Sequence, residues 1–236
     1  MRLFKKKEKL KVTGKNNINN LKKLAGNISG AGNTIQIGEL KGKNGVYFNI
    51  EGNNNNIKIG KVYTEGVISI AVKGNNNEII LGDEIKITDG LTIQIIEDCE
   101  NGRIFVGDKT TFWNSLIQTC DNNSSVEIGE DCMFSYNTKI FNSDGHSVIQ
   151  DGRLINKSYK TKIGNHVWVG YEAVILKNSL IQNNSIAGYR ALVSGKFNEE
   201  GLVLTGIPAK IVKKNINWSR LTPNQYEKEP NGDLNA

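Results

Sequence analysis

Two histidines, His146 and His166, are the side chains of this chain whose ordinary pKa lies near neutrality. An imidazole near pKa 6.5 can take the proton of a hydroxyl at physiological pH. Such general-base help is worth roughly 10²- to 10⁴-fold in rate. His146 stands at a telling position. Counting in sixes from Ile128 gives Phe134, Ile140 and then His146, a polar ring where the frame asks for an aliphatic residue. By spacing alone it is either the mark of a loop exit or a reactive group. His166 falls at a turn position and reads as an ordinary exposed histidine. Asp144 counts to a small inward slot, and either orients His146 or serves as a corner residue. Two histidines are too few for a three-histidine zinc site, so no metal is expected. No GxxxxGK[ST] loop occurs, and no GxGxxG follows a strand. Cys99, Cys120 and Cys132 form neither a CxxC pair nor an even framework, which fits a reducing cytosol. Cys132 occupies a small-residue slot and is expected to fill core.

The frame that places His146 is clearest downstream. Positions 163, 169, 175, 181, 187 and 193 hold Ile, Val, Ile, Ile, Ala and Val, and four positions on come Val167, Ala173, Ser179, Ser185 and Ala191. A period of six is neither the 3.6 of a helix nor the 2 of an isolated strand. It describes one short strand plus one tight corner, and three such units make a triangular coil that stacks on its neighbours. Looser copies of I-x-[IVL]-G end at Gly38, Gly60, Gly82, Gly107 and Gly129, spaced 22, 22, 25 and 22 residues apart. Asn53 to Asn56, Asn75 to Asn77, and Asn122 with Asn123 read as corners, because Asn tolerates left-handed backbone angles. The domain reading is a basic N-terminal cap (1–25), coils with Asn-rich corners (26–146), a protruding loop (147–160), regular coils (161–194), a C-terminal segment (195–221) and a disordered tail (222–236).

Composition agrees with a thin core. Of 236 residues, 38% are hydrophobic and 7% aromatic, and 25 glycines against 3 prolines favour many tight turns. No run approaches the roughly 18 apolar residues of a membrane span, and the basic stretch from Met1 to Lys11 lacks the apolar run of a signal peptide. The net charge of +6 is compatible with weak attraction to an anionic membrane face or a polyanionic substrate.

Four segments carry a resemblance. Asn142-Ser143-Asp144-Gly145-His146-Ser147, Arg153-Leu154-Ile155-Asn156, Ile163-Gly164-Asn165-His166-Val167-Trp168-Val169-Gly170 and Gly206-Ile207-Pro208-Ala209-Lys210-Ile211-Val212-Lys213 occur in this order. Together they resemble the hexapeptide-repeat acyltransferases, in the branch of bacterial capsular polysaccharide and sialic-acid O-acetyltransferases. Ile207 replaces the usual Asn of the family's Gly-Asn-Pro-Ala-Lys close. The resemblance covers roughly residues 100 to 220, and the coils before it share only the fold. It implies an all-β, left-handed parallel β-helix with a protruding loop and a short basic C-terminal segment. It also implies direct transfer of acetyl from acetyl-CoA to a sugar hydroxyl, with His146 as general base. Trp168 matches the family's partner for the histidine. Its N–H would face the developing oxyanion, or its flat face would orient substrate. The pantetheine arm of acetyl-CoA would run along a groove between coils of adjacent subunits, lined by Gly170, Ala173 and Ser194. Lys210 and Lys213 would meet its phosphates, placing the segment 195–221 near CoA, with Lys196 and Arg190 as further candidates.

The resulting expectation is a homotrimeric, cytoplasmic O-acetyltransferase acting on a capsular or cell-surface polysaccharide or its precursor, anionic sugars included. Its setting extends at most to peripheral association with the inner membrane face, and no nucleic acid is involved. An acetyltransferase for a small amino sugar or amino acid is the alternative within the class. A non-catalytic β-solenoid binding protein is the alternative outside it. That protein should carry a secretion signal or a ladder of Thr or aromatic residues, and the linear sequence displays neither.

Overall fold

Three hexapeptides close one turn. In the computed structural model, which describes residues 9–19 and 22–228, Ile163 lies beside Ile181, Val169 beside Ala187 and Ile175 beside Val193. Each partner is 18 residues further along the chain. The six beat positions and the small residues four places after them are all buried. Alternation along a strand explains this, since residues on one side of the pleat face the lumen together. The upstream coils are larger. Ile35 pairs with Ile57 and Ile57 with Ile79, then Ile79 with Ile104 and Ile104 with Val126. The next step runs from Val126 to Thr161, because the loop is inserted between them.

One side of the prism is a nine-stranded parallel sheet running from Asn17–Ile18 through Ser125–Ile128 and Lys160–Ile163 to Lys196–Phe197. The other two sides merge into a fifteen-stranded sheet, because strands such as Ile85–Glu100 and Met133–Asn142 turn a corner without losing their pairing. Among the described residues only two pairings are antiparallel. One is the hairpin Ile149–Gln150 with Arg153–Leu154. The other joins Val203–Thr205 to Lys210–Lys213 at the C-terminal end. The lumen is filled by β-branched and aromatic residues, including Phe112 stacked on Phe134 at 4.8 Å. Cys132 is fully buried there.

The Asn-rich stretches form corners by two devices. Asn54, Asn76 and Asn123 adopt left-handed φ values of 55°, 57° and 59°. Asn33, Asn55 and Asn77 instead point inward and form a ladder: Asn55 Nδ2 donates to Asn33 Oδ1, and Asn77 Nδ2 to Asn55 Oδ1, each at 3.0 Å. Gly52 is needed for close approach. Its φ is +136°, and a Cβ there would sit 1.9 Å from the Gly74 carbonyl oxygen.

Both ends differ from the sequence reading. Lys11–Val12 pairs with the strand Leu24–Ser29 and Asn17–Ile18 with Thr34–Ile37, so the region read as a cap up to residue 25 already contains a coil. Of the basic stretch, the lysines of residues 5 to 7 lie outside the described residues. The stretch read as a disordered tail begins with a helix, Pro223–Lys228. Residues 229–236 lie outside the described part. Among the described residues no helix is long and apolar enough to cross a membrane.

Candidate active site

His146 sits where the long strand Met133–Asn142 ends and the inserted loop begins, and it is exposed. Asn156 organises this loop. Its Nδ2 donates to the His146 carbonyl at 2.7 Å and to Asp144 Oδ2 at 2.8 Å, while its Oδ1 accepts from Val148 N–H at 2.8 Å. Lys177, from the next coil, donates to the Asn156 carbonyl at 2.7 Å and forms an ion pair with Asp144. The His146 backbone is therefore fixed, whereas its ring nitrogens make no hydrogen bond among the described residues. His146 borders a cavity of about 350 Å³ whose lining includes Asp121, Ser143, Asn156 and Lys157.

Asp144 does not occupy an inward slot. Its carboxylate is 43% exposed and turned to Lys177, whose ammonium, with help from the Asn156 amide, holds it below the usual carboxylate range. Its contacts run to Asn156 and Lys177, and none of its hydrogen bonds among the described residues goes to the His146 ring.

Trp168 lies elsewhere on the same chain. It pairs with Met133, at the start of the strand whose far end leads to His146, and it is not part of the lining of the His146 cavity. Val169 is buried, so alternation turns Trp168 outward, where its Nε1 donates to Ser135 Oγ at 3.2 Å. The two residues are thus not brought together within one chain.

His166 is not an ordinary exposed histidine. Its Nδ1 lies 2.7 Å from Asp131 Oδ2 and its Nε2 2.9 Å from the Trp218 carbonyl oxygen. Its ring stacks on Trp218 at 4.1 Å with an interplanar angle of 8°. One signal for this partnership was present in the sequence. Asp131 precedes His166 by the same 35 residues that separate Gly129 from Gly164, so the two corners lie one coil apart.

The residues expected to line a CoA groove divide by exposure. Ser194, Lys196, Lys210 and Lys213 are exposed, with the last two on the closing strand. Gly170 is buried, and a Cβ there would come within 2.9 Å of Gly188. The Ala173 side chain is wholly in the core, so only its backbone could meet a ligand. Arg190 is paired with Glu172.

An aromatic ladder does exist. Trp113, Tyr136, Tyr171 and Tyr189, all exposed, follow one another from coil to coil with ring centroids 4.9, 6.4 and 5.5 Å apart. Their corners are joined by the backbone bonds Glu172 N–H to Tyr136 C=O and Arg190 N–H to Tyr171 C=O, both 2.9 Å. Linear spacings of 23, 35 and 18 residues concealed it.

No family model matches the chain. Over 133 residues, 56% of its length, it is 35% identical to a polysialic acid O-acetyltransferase of Neisseria meningitidis, and the match spans 60% of that relative. Among solved structures, the polysialic acid O-acetyltransferase OatWY superposes with a TM-score of 0.77 at 30% identity, covering 94% of this chain and 96% of that one. The polySia-specific acetyltransferase NeuO gives a TM-score of 0.74 at 25% identity, covering 85% and 91%. The coil register, the inserted loop and a likeness that extends over almost the whole of OatWY agree, and the chain belongs to the hexapeptide-repeat acyltransferases of the left-handed β-helix fold.

Proposed function

We propose that this chain is an acetyl-CoA-dependent O-acetyltransferase whose acceptor is a hydroxyl of a bacterial capsular or cell-surface polysaccharide. The observation that carries the reading is the contrast between the two histidines. Both ring nitrogens of His166 are engaged by the protein. Those of His146 make no hydrogen bond among the described residues, and the residue lines a cavity at the lip of the inserted loop. A general base must be within reach of the proton it takes and must not be committed elsewhere. In the reaction, the His146 nitrogen accepts the acceptor hydroxyl proton as that oxygen bonds to the acetyl carbonyl carbon. The carbon–sulfur bond then breaks, and the imidazolium returns the proton to the CoA sulfur. The histidine ends as it began.

Trp168 enters this scheme from a second copy. Within one chain it is remote from the His146 cavity, so a homotrimer of side-by-side solenoids would place Trp168 of the partner subunit at the cavity mouth. There its indole would steady the acceptor or face the carbonyl oxygen. Exposed Ser194, Lys196, Lys210 and Lys213 suit the polar end of CoA, with the Gly170 backbone beside its arm. A cytoplasmic setting accords with three free cysteines.

The test is a transfer assay with labelled acetyl-CoA across sialylated, neutral and amino-sugar glycans. Label is expected on a polysaccharide hydroxyl, and His146→Ala is expected to lower turnover by at least about 10²-fold with acetyl-CoA binding retained. Turnover by that variant at the parent rate would sink the mechanism. Label on a small amino sugar alone would shift the acceptor class.

A further inference from the structure

The C-terminal segment after Lys213 turns back and runs along one corner of the prism. Ile216 N–H donates to the Gly201 carbonyl at 3.0 Å, Trp218 lies against His166, and Arg220 reaches Asp131 and Thr111. This strap passes Trp168. The Trp218 and Trp168 rings are 6.0 Å apart and inclined at 47°, a tilted arrangement that aromatic pairs favour.

Trp218 is held from several directions. Only 9% of it is exposed. Its Nε1 donates to the His166 carbonyl at 2.8 Å, and its own carbonyl accepts from the His166 ring at 2.9 Å. Asp131 fixes that imidazole through Oδ2. Through Oδ1 it accepts from Arg220 Nε at 3.0 Å and Nη2 at 2.9 Å. The Arg220 guanidinium lies 5.7 Å from the centre of the Trp218 ring. Arg220, Asp131, His166 and Trp218 therefore form a closed set of contacts drawn from the strap and two successive corners. A planar fork on a carboxylate is the rigid version of such an anchor.

Trp168 is held far less. It is a half-exposed side chain on a flat sheet face, with Met133 and Ile186 beside it and one hydrogen bond, to Ser135 Oγ, among the described residues. Two points thus set the direction of its indole: the Ser135 hydroxyl and the Trp218 ring. The strap supplies the second from a rigid base.

We infer that Trp218 is a positioning residue, which fixes the Trp168 indole for the acyl transfer; the inference rests on the proposed function in giving Trp168 a place at the site. A residue that only staples the fold would change stability and leave the rate of folded enzyme alone. A positioning residue changes the rate through the group it positions, because small misplacements of a substrate-facing group are costly in turnover.

The experiment is a double-mutant cycle on the full chain, with kcat and the KM for acetyl-CoA measured for Trp168→Ala, Trp218→Ala and the pair. Trp218→Ala is expected to lower kcat about tenfold while the acetyl-CoA KM stays within about twofold, and the pair to be no slower than Trp168→Ala alone. Trp218→Phe keeps a ring on His166 and is expected to fold and to recover most of the rate. It keeps the inference open to test even if Trp218→Ala fails to fold. Losses that multiply in the pair, or parent kcat in a folded Trp218→Ala, would overturn the inference and leave the proposed function standing. Parent kcat in Trp168→Ala would remove that residue from the site and the inference with it.

Discussion

The chemistry proposed for His146 depends on a few contacts that hold a loop rather than a ring. The Lys177–Asp144 pair and the Asn156 amide fix the backbone on both sides of the histidine. The Asp144 carboxyl is lowered by its hydrogen bond from Lys177 and that from Asn156. The sign follows from linkage. A carboxyl whose folded pKa is depressed contributes stability above its unfolded pKa, and that contribution is lost as pH falls through the depressed value. The anchor is therefore intact at neutral pH and fails only in strong acid. Because the carboxylate is 43% exposed, solvent screening makes its contribution to global stability small, and its effect is local. Lys177→Ala should loosen the hairpin at neutral pH. Trypsin is expected to cut after the exposed Arg153 several times faster in that variant, by mass spectrometry of timed digests. Equal cleavage would show that the hairpin does not need the anchor. His146 was legible because the frame of six put it where no imidazole belongs. Lys177 was not, since its partners lie 21 and 33 residues away and meet it only across stacked coils.

Along the coils, the Asn ladder shows how a corner can be both polar and buried. Asn55 is 1% exposed. Its Oδ1 accepts from Asn77 N–H and Nδ2, both at 3.0 Å, and its Nδ2 donates to Asn33 Oδ1 and the Gly74 carbonyl, again at 3.0 Å. Each coil is thereby tied to the next through one side chain. Replacing Asn55 by Ala leaves buried donors and acceptors on both neighbouring coils without a partner. A single such orphan costs about 1–3 kcal/mol, so a total loss on the order of 3 kcal/mol is expected, read as a fall in Tm or in the denaturant midpoint. A change below about 0.5 kcal/mol would mean the corner repacks freely. The corner assignment itself could be read from the sequence, since Asn clustered between aliphatic triplets tolerates the left-handed backbone angles of a tight corner. Which Asn turns inward could not. Asn54 and Asn55 are neighbours of one type, and only the closed coil decides that the first takes φ 55° at the surface while the second enters the ladder. The aromatic ladder was hidden for a related reason. Its rungs obey the coil and not a fixed count, and the inserted loop stretches one interval to 35 residues.

For the whole molecule, the decisive fact is that one solenoid cannot bring His146 and Trp168 together. They belong to opposite ends of the strand Met133–Asn142, which turns a corner between them. A β-solenoid is rigid along its length because each coil is bonded to the next, so no hinge within the coils will close that gap. A second copy can, and the hairpin after His146 presents exposed Val148, Ile149, Leu154 and Ile155 on the side of the site. Surfaces of this kind are more often covered than left in water. If sites form between subunits, two strongly impaired variants should rescue each other. A mixed trimer of His146→Ala and Trp168→Ala chains contains some interfaces with an intact histidine on one side and an intact tryptophan on the other. Random assembly of equal amounts makes these about a quarter of all interfaces in a cyclic trimer. Co-refolding or co-expressing the two variants, each strongly impaired alone, is therefore expected to restore about a quarter of parent turnover. Separately folded stocks mixed without exchange should restore none. A site built within one chain predicts no recovery under either condition, since every chain would then lack one of its two residues.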